Sequence, residues 1–530
     1  MGLELLSQRA YPPHVPKTID IPPWRVEDLL KEAVRHYPQH PALQFYRLRW
    51  SYRELWSRVL RMARALQDLG LEPGDRIALI LPNCPQYVVS YYAALLVGAT
   101  VTQLNPLLVE RELKALLQDA ACRAVIALDA VLPRVEAVRR EVGVEWVVGV
   151  SLAGRVEQAG VIEFEAFLAA ASAEFPRDVC ASPEDVAVLQ YTGGTTGQAK
   201  GAMLTHRNLV ANVLQVRAFM PELQAGAERC LAVIPLFHVY GMTVCMNVTL
   251  SLGGCLVLLP RFDIHDVLAA IREGITTWPG VPTMYAALLQ VPHLREYGVQ
   301  HIRSCNSGSA PMPVELLAQF EEVTGAAILE GYGLSEASPV THSNPLWGTR
   351  KPGSVGLSYP STEYRLVDPE TGVDVPVGVV GELWIRGPQV MKGYWRRPED
   401  TAAALTPEGW LRTGDLAVVD GDGYVSIVDR LKDVIIASGY NVYPREVEEV
   451  IYRHPGVLEA VVVGAPDPYR GETVRAVIVP KPGVTLTLAE MEAHFQANLA
   501  PYKRPKIVEF RDALPKSAIG KILRRVIRGE

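Results

Sequence analysis

The sequence has few cysteines, and none of them is spaced for a metal site or a redox site. Seven cysteines are scattered through 530 residues, and no two form a Cys-x-x-Cys motif. Zinc sites and dithiol redox centres use such closely spaced pairs, and small secreted scaffolds use a dense, even number of cysteines. The pattern argues against these classes and predicts small buried hydrophobic side chains in a reducing compartment.

The sequence also lacks a large excess of charge of either sign. Its formal net charge is -6 over the whole chain. Proteins that hold nucleic acid or lie on anionic membranes carry a strong positive field, which this composition does not provide. We therefore predict no nucleic-acid partner, and we expect any contact with phosphate to depend on a local group of residues.

No targeting segment is evident at the N-terminus, and one long apolar run needs an explanation. Residues 1–16 lack the apolar stretch of a signal peptide, and Leu6 stands where N-myristoylation requires Ser or Thr. The range 239–260 is uncharged and long enough to span a bilayer, but Asn247 and a Gly-Gly pair at 253–254 interrupt it. We interpret it as a buried helix, a turn and a strand at 255–259, in a cytoplasmic protein.

The length of the chain predicts more than one domain, because a single hydrophobic core stops growing at roughly 250 to 300 residues. Long helical patterns alternate with short runs of Val, Ile and Leu, which predicts a layered α/β architecture. Over about 355–429, short strands separated by Gly and Pro predict a small β-barrel-like part. After 430–432 the pattern is mixed again, which predicts a small α+β domain over 433–530.

The most informative local motif is a loop rich in glycine and threonine that follows a predicted strand at 185–189. Glycines let the backbone approach an anion, while hydroxyl groups and a lysine donate to phosphate oxygens. The lysine is followed by Gly201 rather than by Ser or Thr, so the loop is not the phosphate-binding loop of kinases and GTPases. The residues predicted to bind phosphate are Thr192, Gly193, Gly194, Thr195, Thr196, Gly197 and Lys200.

This loop and three longer segments together carry a family resemblance. The segments read GAMLTHRN from Gly201, DRLKDVIIASGYNVYPREVE from Asp429 and PKSAIGKILRR from Pro515. With them the chain resembles the adenylate-forming superfamily over nearly its full length, and it is similar to bacterial medium- and long-chain fatty-acyl-CoA synthetases. The resemblance implies an N-terminal adenylation domain over 1–429, a hinge at 430–432 and a mobile C-terminal α+β domain over 433–530.

The resemblance also implies a set of residues that bind the nucleoside of ATP. Two segments, NSGSAP from Asn306 and EGYGLSE from Glu330, look like the adenine-binding pair of the family, in which an aromatic face and small residues enclose the base. A carboxylate and an arginine match the ribose clamp of the family. The implied residues are Gly308, Ser309, Ala310, Glu330, Gly331, Tyr332, Gly333, Ser335, Asp415, Ile427 and Arg430.

Four residues are the expected catalytic groups, and two of the site residues are expected at a metal. His238 looks like the family histidine near the acyl carboxylate, Lys521 corresponds to the adenylation lysine, and Lys200 is expected on the phosphates. Glu336 is the expected Mg²⁺ ligand, since a hard carboxylate suits a metal that also binds substrate phosphates. Thr192 is the expected second group at the metal, and Thr195 is the alternative.

The reaction implied by the resemblance joins a fatty acid to coenzyme A through an acyl-adenylate, with ATP, Mg²⁺ and CoA as cofactor or co-substrates. Lys432 aligns with the hinge, and Ser438, Gly439 and Tyr440 align with the segment beside the pantetheine tunnel. Apolar residues in 239–248 and 281–289 are expected to build the acyl tunnel. Ile436 stands where luciferases carry a lysine, which makes luciferase-type oxidation unexpected.

Several alternatives stay open at this point. The acid has either an aliphatic chain of undetermined length or an aromatic ring, so a short-chain- or aryl-CoA ligase is the nearest alternative. An acyl-AMP ligase that delivers to a carrier protein is another. A nucleotide- or lipid-binding protein without catalysis represents a different class. A homodimer is common in the resembling family, and peripheral membrane contact is an open expectation.

Overall fold

The fold is described from a computed structural model that covers residues 3–171, 176–192, 199–437, 440–467, 471–518 and 520–529. Helices and strands alternate through most of the chain, as the sequence pattern predicts. Several helices begin at the side-chain caps that the sequence offers, for example Ser51 with Glu54 and Thr205 with Asn208. The α-helices are Glu4–Arg9, Val26–His36, Tyr52–Asp68, Pro85–Leu96, Glu110–Ala120, Leu132–Val142, Phe164–Ala170, His206–Phe219, Val248–Ser251, Ile264–Arg272, Pro282–Leu289, Val314–Thr324, Pro398–Ala404, Pro444–Tyr452, Leu488–Asn498 and Arg524–Arg528.

The first large sheet ends in the two strands that flank the glycine- and threonine-rich segment in the sequence. Its strands, in spatial order, are Ile162–Glu163, Trp146–Val150, Ala124–Leu128, Arg76–Ile80, Thr100–Gln103, Val186–Thr192 and Lys200–Thr205. All neighbours are parallel except the last pair, which is antiparallel and places Thr192 opposite Lys200. The strand register therefore brings the two ends of the predicted phosphate loop together.

The second large sheet supplies the two segments predicted to bind adenine. In spatial order its strands are Leu357–Ser358, Val340–Ser343, Ala327–Gly333, Ser304–Ser307, Thr277–Gly280, Arg229–Ala232, Cys255–Leu258, Pro41–Phe45 and Leu48–Ser51. Ser304–Ser307 and Ala327–Gly333 are parallel neighbours, so their carboxyl ends meet at one edge, where ligands of open α/β sheets bind. Side chains of both large sheets share the main core, which includes Tyr87, Leu209 and Leu256.

The small β-rich part is an antiparallel sheet. Its described strands, in order, are Glu363–Val367, Gly381–Arg386, Leu411–Val419 and Val425–Arg430. Alternating apolar residues such as Tyr364, Leu366, Leu383 and Ile385 form a separate small core. Within this sheet Asp415 lies opposite Arg430, so the register places these two predicted site residues side by side.

Residues 435–529, here called the C-terminal lobe, have their own sheet and core. Its described strands are Tyr440–Val442, Ile435–Ala437, Gly471–Pro480 and Val457–Asp467, and Ile507–Phe510 pairs parallel to Gly471–Pro480. Side chains of helices Pro444–Tyr452 and Leu488–Asn498 fill the core on one face of the sheet. The separate core agrees with the change of pattern after residue 432, and the exact domain limits at 429 and 433 stay a prediction.

The uncharged range 239–260 folds inside the protein. It forms a π-helix at Gly241–Asn247, an α-helix at Val248–Ser251 and a strand at Cys255–Leu258, in the predicted order. A side chain at position 241 would place its Cβ 2.3 Å from the carbonyl oxygen of Pro235, so the close approach requires glycine. No helix among the described residues is long and apolar enough to cross a membrane. Six cysteines are buried as predicted, and Cys180 is exposed.

Candidate active site

A cleft of about 360 Å³ gathers predicted site residues from distant parts of the chain. The predicted residues that line it come from both large sheets, from the small sheet and from the C-terminal lobe. They are Thr192, Lys200, His238, Gly308, Ser309, Gly331, Tyr332, Gly333, Ser335, Glu336, Arg430 and Lys521.

One end of the cleft carries the predicted phosphate lysine and the predicted metal ligand. The Lys200 ammonium forms an ion pair with Asp400 and lies 5.4 Å from the ring centroid of Tyr394. The Tyr394 hydroxyl donates to Glu336 Oε1 over 2.7 Å, so one tyrosine touches both groups. Sequence reasoning did not identify Tyr394 or Asp400. Tyr394 lies in the irregular stretch after residue 386 and Asp400 lies in the short helix Pro398–Ala404, and neither belongs to a local motif that would identify it.

The residues at this end fit a magnesium ion. Glu336 lines the cleft, and its carboxylate keeps lone pairs beyond the one that accepts the Tyr394 hydroxyl. Among the described residues no group of three or more His, Cys, Asp or Glu side chains is placed to hold a metal. A single carboxylate suits Mg²⁺, because this ion binds through one or two protein oxygens while substrate phosphates and water supply the rest.

Asp415 lies directly behind two residues of the cleft wall. Its Oδ2 accepts a hydrogen bond of 2.5 Å from the Tyr332 hydroxyl, and its Oδ1 is 3.0 Å from Arg430 Nε. Burial raises the pKa of Tyr332, and the neighbouring Asp415 carboxylate raises it further, so the phenol stays a hydrogen-bond donor. A carboxylate offers about four lone-pair sites, which leaves acceptor capacity for sugar hydroxyls.

Two glycines of the cleft lining lie too close to neighbouring protein groups to carry a larger side chain without displacing them. A Cβ at Gly333 would lie 2.2 Å from the carbonyl oxygen of Pro339, and a Cβ at Gly308 would lie 3.3 Å from the ring of Tyr240. Ser309 has a φ of 65°, in the left-handed region that few residues other than glycine adopt. Close packing and backbone conformation therefore restrict the residues that fit at these positions of the cleft lining.

Lys521 reaches the cleft from the C-terminal lobe. Its side chain is exposed to the solvent of the cleft, and the protein around it removes part of its hydration. This burial lowers the pKa of Lys521 to about 8, and the Arg430 guanidinium contributes to the same shift. The ammonium is therefore less strongly protonated than an ordinary lysine and lies beside a second cation, an arrangement that favours a negatively charged ligand.

His238 lines the cleft as a polar side chain without charge. Burial lowers its pKa to about 4, and the positive charge of Lys521 adds to this effect. Its Nδ1 accepts a hydrogen bond of 3.2 Å from the backbone N–H of Tyr240. The neutral ring therefore carries its proton on Nε2, which makes that nitrogen a hydrogen-bond donor at neutral pH.

Other predicted residues lie outside the lining of the cleft. The Glu330 carboxylate accepts the Met312 N–H over 3.1 Å, and the Ile427 carbonyl accepts a hydrogen bond from Arg445. Tyr440 is exposed on the C-terminal lobe and stacks on Tyr502 with ring centroids 4.8 Å apart. The remaining residues outside the lining are Ala310, Asp415 and Lys432. Those outside the described residues are Gly193, Gly194, Thr195, Thr196, Gly197, Ser438 and Gly439.

The cleft also has apolar lining residues, some of which come from the predicted acyl tunnel. Val239, Tyr240 and Val244 belong to the predicted range 239–248, while helix Pro282–Leu289 supplies none of the lining, so the range 281–289 stays a prediction. The Tyr285 hydroxyl instead donates to the carbonyls of Trp278 and Asn306, which ties the helix to the sheet. The apolar lining comes from Val216, Met220, Val239, Val244, Leu329, Val340 and Tyr359.

Comparisons with known proteins agree with this geometry. The AMP-binding enzyme family matches residues 30–395, and the AMP-binding enzyme C-terminal domain matches residues 446–521. A long-chain-fatty-acid–CoA ligase of Bacillus subtilis (strain 168) is 44% identical, covering 97% of this chain and 96% of that protein. A feruloyl-CoA synthase of an Amycolatopsis species is 40% identical, covering 90% of this chain and 93% of its own length.

A solved structure of a further relative has the same fold. The crystal structure of ATP-bound MatB from Rhodopseudomonas palustris superimposes with a TM-score of 0.88 at 34% identity, covering 96% of this chain and 99% of that one. The match extends through both lobes and supports the layered α/β fold with a small C-terminal lobe. The chain belongs to the AMP-binding enzyme family of the adenylate-forming superfamily.

Proposed function

We propose that this protein is an AMP-forming fatty acid–CoA ligase, which converts a fatty acid, ATP and CoA to acyl-CoA, AMP and pyrophosphate in the cytoplasm. One observation carries the proposal: Lys200, Glu336, Arg430 and Lys521 line a single cleft that continues into an apolar pocket. Relatives that match nearly the full chain are named long-chain-fatty-acid–CoA ligases, which supports a fatty acid as the substrate.

In the first half-reaction the carboxylate of the acid attacks the α-phosphorus of ATP, and pyrophosphate leaves. The protein contributes mainly by holding the two reactants together and by stabilising negative charge. Lys521 and Lys200 supply positive charge from opposite parts of the chain. The neutral His238 donates from Nε2 and orients the acid carboxylate without adding charge. Asp415, Tyr332 and Arg430 hold the ribose and the base.

Mg²⁺ would be held by Glu336, with Thr192 nearby in the cleft lining, and would neutralise charge on the phosphates of ATP. Tyr394 keeps the Glu336 carboxylate oriented by its hydrogen bond. Lys200 is held near the same phosphates by Asp400 and by the ring of Tyr394. These residues prepare the cleft for a triphosphate before it binds.

In the second half-reaction the CoA thiol attacks the acyl carbonyl of the adenylate, and AMP leaves. We propose that the C-terminal lobe turns about Lys432 for this step and brings the segment from Ser438 to Tyr440 to the cleft. The support is the family membership and the position of Lys432 between the small sheet and the C-terminal lobe. The apolar pocket would keep the acyl chain in place while the lobe moves.

An aromatic acid is the second candidate substrate, because a feruloyl-CoA synthase is 40% identical to this chain. Each buried methylene contributes about 0.8 kcal/mol, so an apolar pocket favours long chains in general, and a single methylene is discriminated only weakly. Chain preference therefore has to be measured.

A panel of acids tests the proposal directly. Pyrophosphate release is measured with ATP, with and without CoA, for straight-chain acids of two to eighteen carbons and for ferulic and benzoic acids. We expect acid-dependent release whose multiple turnovers require CoA, with higher kcat/KM for longer aliphatic acids. A preference for aromatic acids would replace the substrate assignment, and an absence of release with every acid would refute the ligase.

A further inference from the structure

Arg445 of the C-terminal lobe is buried against the rest of the protein. It lies in the first turn of helix Pro444–Tyr452 and is only 8% exposed. Its Nη1 donates to the Ile427 carbonyl over 2.6 Å, and its backbone N–H donates to Asp429 Oδ2 over 2.9 Å. Its Nη2 lies 3.4 Å from Glu330 Oε1. One guanidinium of the lobe therefore contacts both the small sheet and the second large sheet.

Glu330 occupies a special position in the wall of the cleft. It is 2% exposed and directly precedes Gly331 and Tyr332, which line the cleft. The same Oε1 accepts the backbone N–H of Met312, in the segment that follows Gly308 and Ser309. A single carboxylate oxygen thus joins both nucleoside-binding segments to the C-terminal lobe.

The pair favours this arrangement of the lobes. Removing one partner of a buried ion pair is costly, because the remaining charge stays buried without compensation. Here the two partners belong to different lobes, so a rotation of the C-terminal lobe would itself separate them. Glu330 Oε2 has no hydrogen-bond partner among the described residues, so Arg445 is the cation on which this carboxylate depends.

The same arrangement places Lys521. Gly520 packs against the N-terminal part so closely that a Cβ there would lie 2.9 Å from Thr283 Oγ1, and Lys521 follows in the cleft lining. Arg524, three residues further on, pairs with Asp429 over 3.2 Å. Lys521 therefore reaches the nucleotide cleft only while these contacts between the lobes exist.

We propose that Arg445 is a positioning residue for adenylation: by pairing with Glu330 it holds the C-terminal lobe in the orientation in which Lys521 lines the cleft. The inference rests on the proposed function, since it assigns Lys521 to the first half-reaction. Arginine suits this role because its planar guanidinium donates to the Ile427 carbonyl and to the carboxylate together, which a lysine ammonium does less well.

The test compares the two half-reactions in Arg445→Gln. We expect acid-dependent ATP–pyrophosphate exchange to fall about ten-fold or more, because the orientation that adenylates loses its stabilising pair. Thioester formation from CoA and synthetic acyl-adenylate should be unchanged or faster. The exchange rate of Arg445→Lys should lie between those of the wild type and Arg445→Gln. Arg453→Gln removes an exposed arginine beside the C-terminal end of the same helix and should leave both rates unchanged.

Each result decides the proposal. Equal loss of both half-reactions in Arg445→Gln would show a general structural role, and unchanged exchange would show no role, so either result overturns the inference. The double variant Arg445→Gln with Glu330→Gln should exchange pyrophosphate at least as fast as the slower of the two single variants. Both substitutions break the same pair, so the second adds no further loss. If the fold-losses of the two single variants multiply in the double variant, the two residues act independently, which would contradict the pairing. If the wild type catalyses both half-reactions while Arg445→Gln has no selective effect, only this inference fails.

The orientation of the C-terminal lobe can also be followed without an activity assay, by the rate at which a disulfide forms between the lobes. In a Cys180→Ser background, Val314→Cys and Glu449→Cys place two thiols at a contact between the lobes, where the Glu449 carboxylate accepts the backbone N–H of Val314. With Arg445 present the disulfide should form several-fold faster than with Arg445→Gln in the same background, whether or not the protein is active. Equal rates of cross-linking would overturn the inference.

Discussion

Lys521 is the residue whose charge the proposed first half-reaction needs most. Its pKa is lowered to about 8, first by burial and then by Arg430. The protonated form stabilises the developing negative charge, so its contribution is complete well below pH 8 and is lost as the pH rises through 8. A lysine with an ordinary pKa near 10.4 would keep its charge over this whole range.

The first prediction is therefore an alkaline limb near pH 8 in kcat/KM for ATP, which reports ionisations of the free enzyme. It is measured as acid-dependent pyrophosphate release between pH 6 and pH 10, where Lys521→Arg should have lower activity but no such limb, since arginine stays protonated. An identical limb in both proteins would assign the ionisation to another group.

The second prediction concerns Tyr394, which sequence reasoning missed. Tyr394→Phe removes the hydroxyl that Glu336 accepts. Loss of a group that orients a metal ligand commonly costs 10- to 100-fold in metal affinity, so we expect the Mg²⁺ concentration for half-maximal activity to rise about ten-fold. Magnesium titrations of Tyr394→Phe and of the control Tyr297→Phe, a tyrosine outside the cleft lining, check this. Equal magnesium dependence in the two variants would contradict it.

At the scale of elements, the π-helix Gly241–Asn247 shapes the apolar part of the cleft. Val244 lines that part, together with Val216 and Met220 of the neighbouring helix and its end. A π-turn inside a helix often occurs at a functional site, because the wider turn redirects side chains.

The third prediction is that Val244→Phe reduces kcat/KM for an eighteen-carbon acid about ten-fold while acetate is used as before. The larger ring occupies volume that only a long chain needs, and buried methylenes carry the binding energy of that chain. Kinetics with acids of two, eight and eighteen carbons check this. A uniform loss at every chain length would indicate damage to the adenylation groups instead.

Elements with strong local patterns were predictable, and those defined by distant contacts were not. Runs such as 124–128 and 146–150 are strands because a continuous apolar run suits a sheet covered on both faces. The helix after residue 240 was predictable in position, but its π geometry was not. Helix Pro282–Leu289 has an apolar sequence that would suit a tunnel wall. Only its tertiary packing shows that its side chains are outside the lining of the cleft.

At the scale of the molecule, the two lobes share one ligand site. The fourth prediction is that ATP raises the thermal unfolding midpoint, because a ligand that binds only the native state stabilises it by about 2.7 kcal/mol at a concentration 100 times its Kd. Asp415→Ala should lose most of this shift, since it removes the carboxylate that supports Tyr332 and Arg430. Thermal scans with and without ATP check it, and a full shift in the variant would exclude Asp415 from the nucleotide site.

Many of the residues that line the cleft were predictable from the sequence, while the arrangement of the two lobes was not. Thr192, Glu336 and Lys521 lie in separate motifs that the family resemblance identified, and the cleft brings them together. The ion pair between Arg445 and Glu330 joins residues that are 115 positions apart and gives no local signal in the sequence. Glu330 was expected beside adenine, and its side chain instead faces the C-terminal lobe.

The most direct test of the central claim is ATP–pyrophosphate exchange without CoA, in the wild type and in Lys521→Ala. The account predicts exchange that depends on the fatty acid in the wild type and roughly 10²-fold or more slower exchange in the variant, while CoA thioester formation from synthetic acyl-adenylate changes much less. Wild-type exchange rates in Lys521→Ala, or exchange that needs no acid, would contradict it.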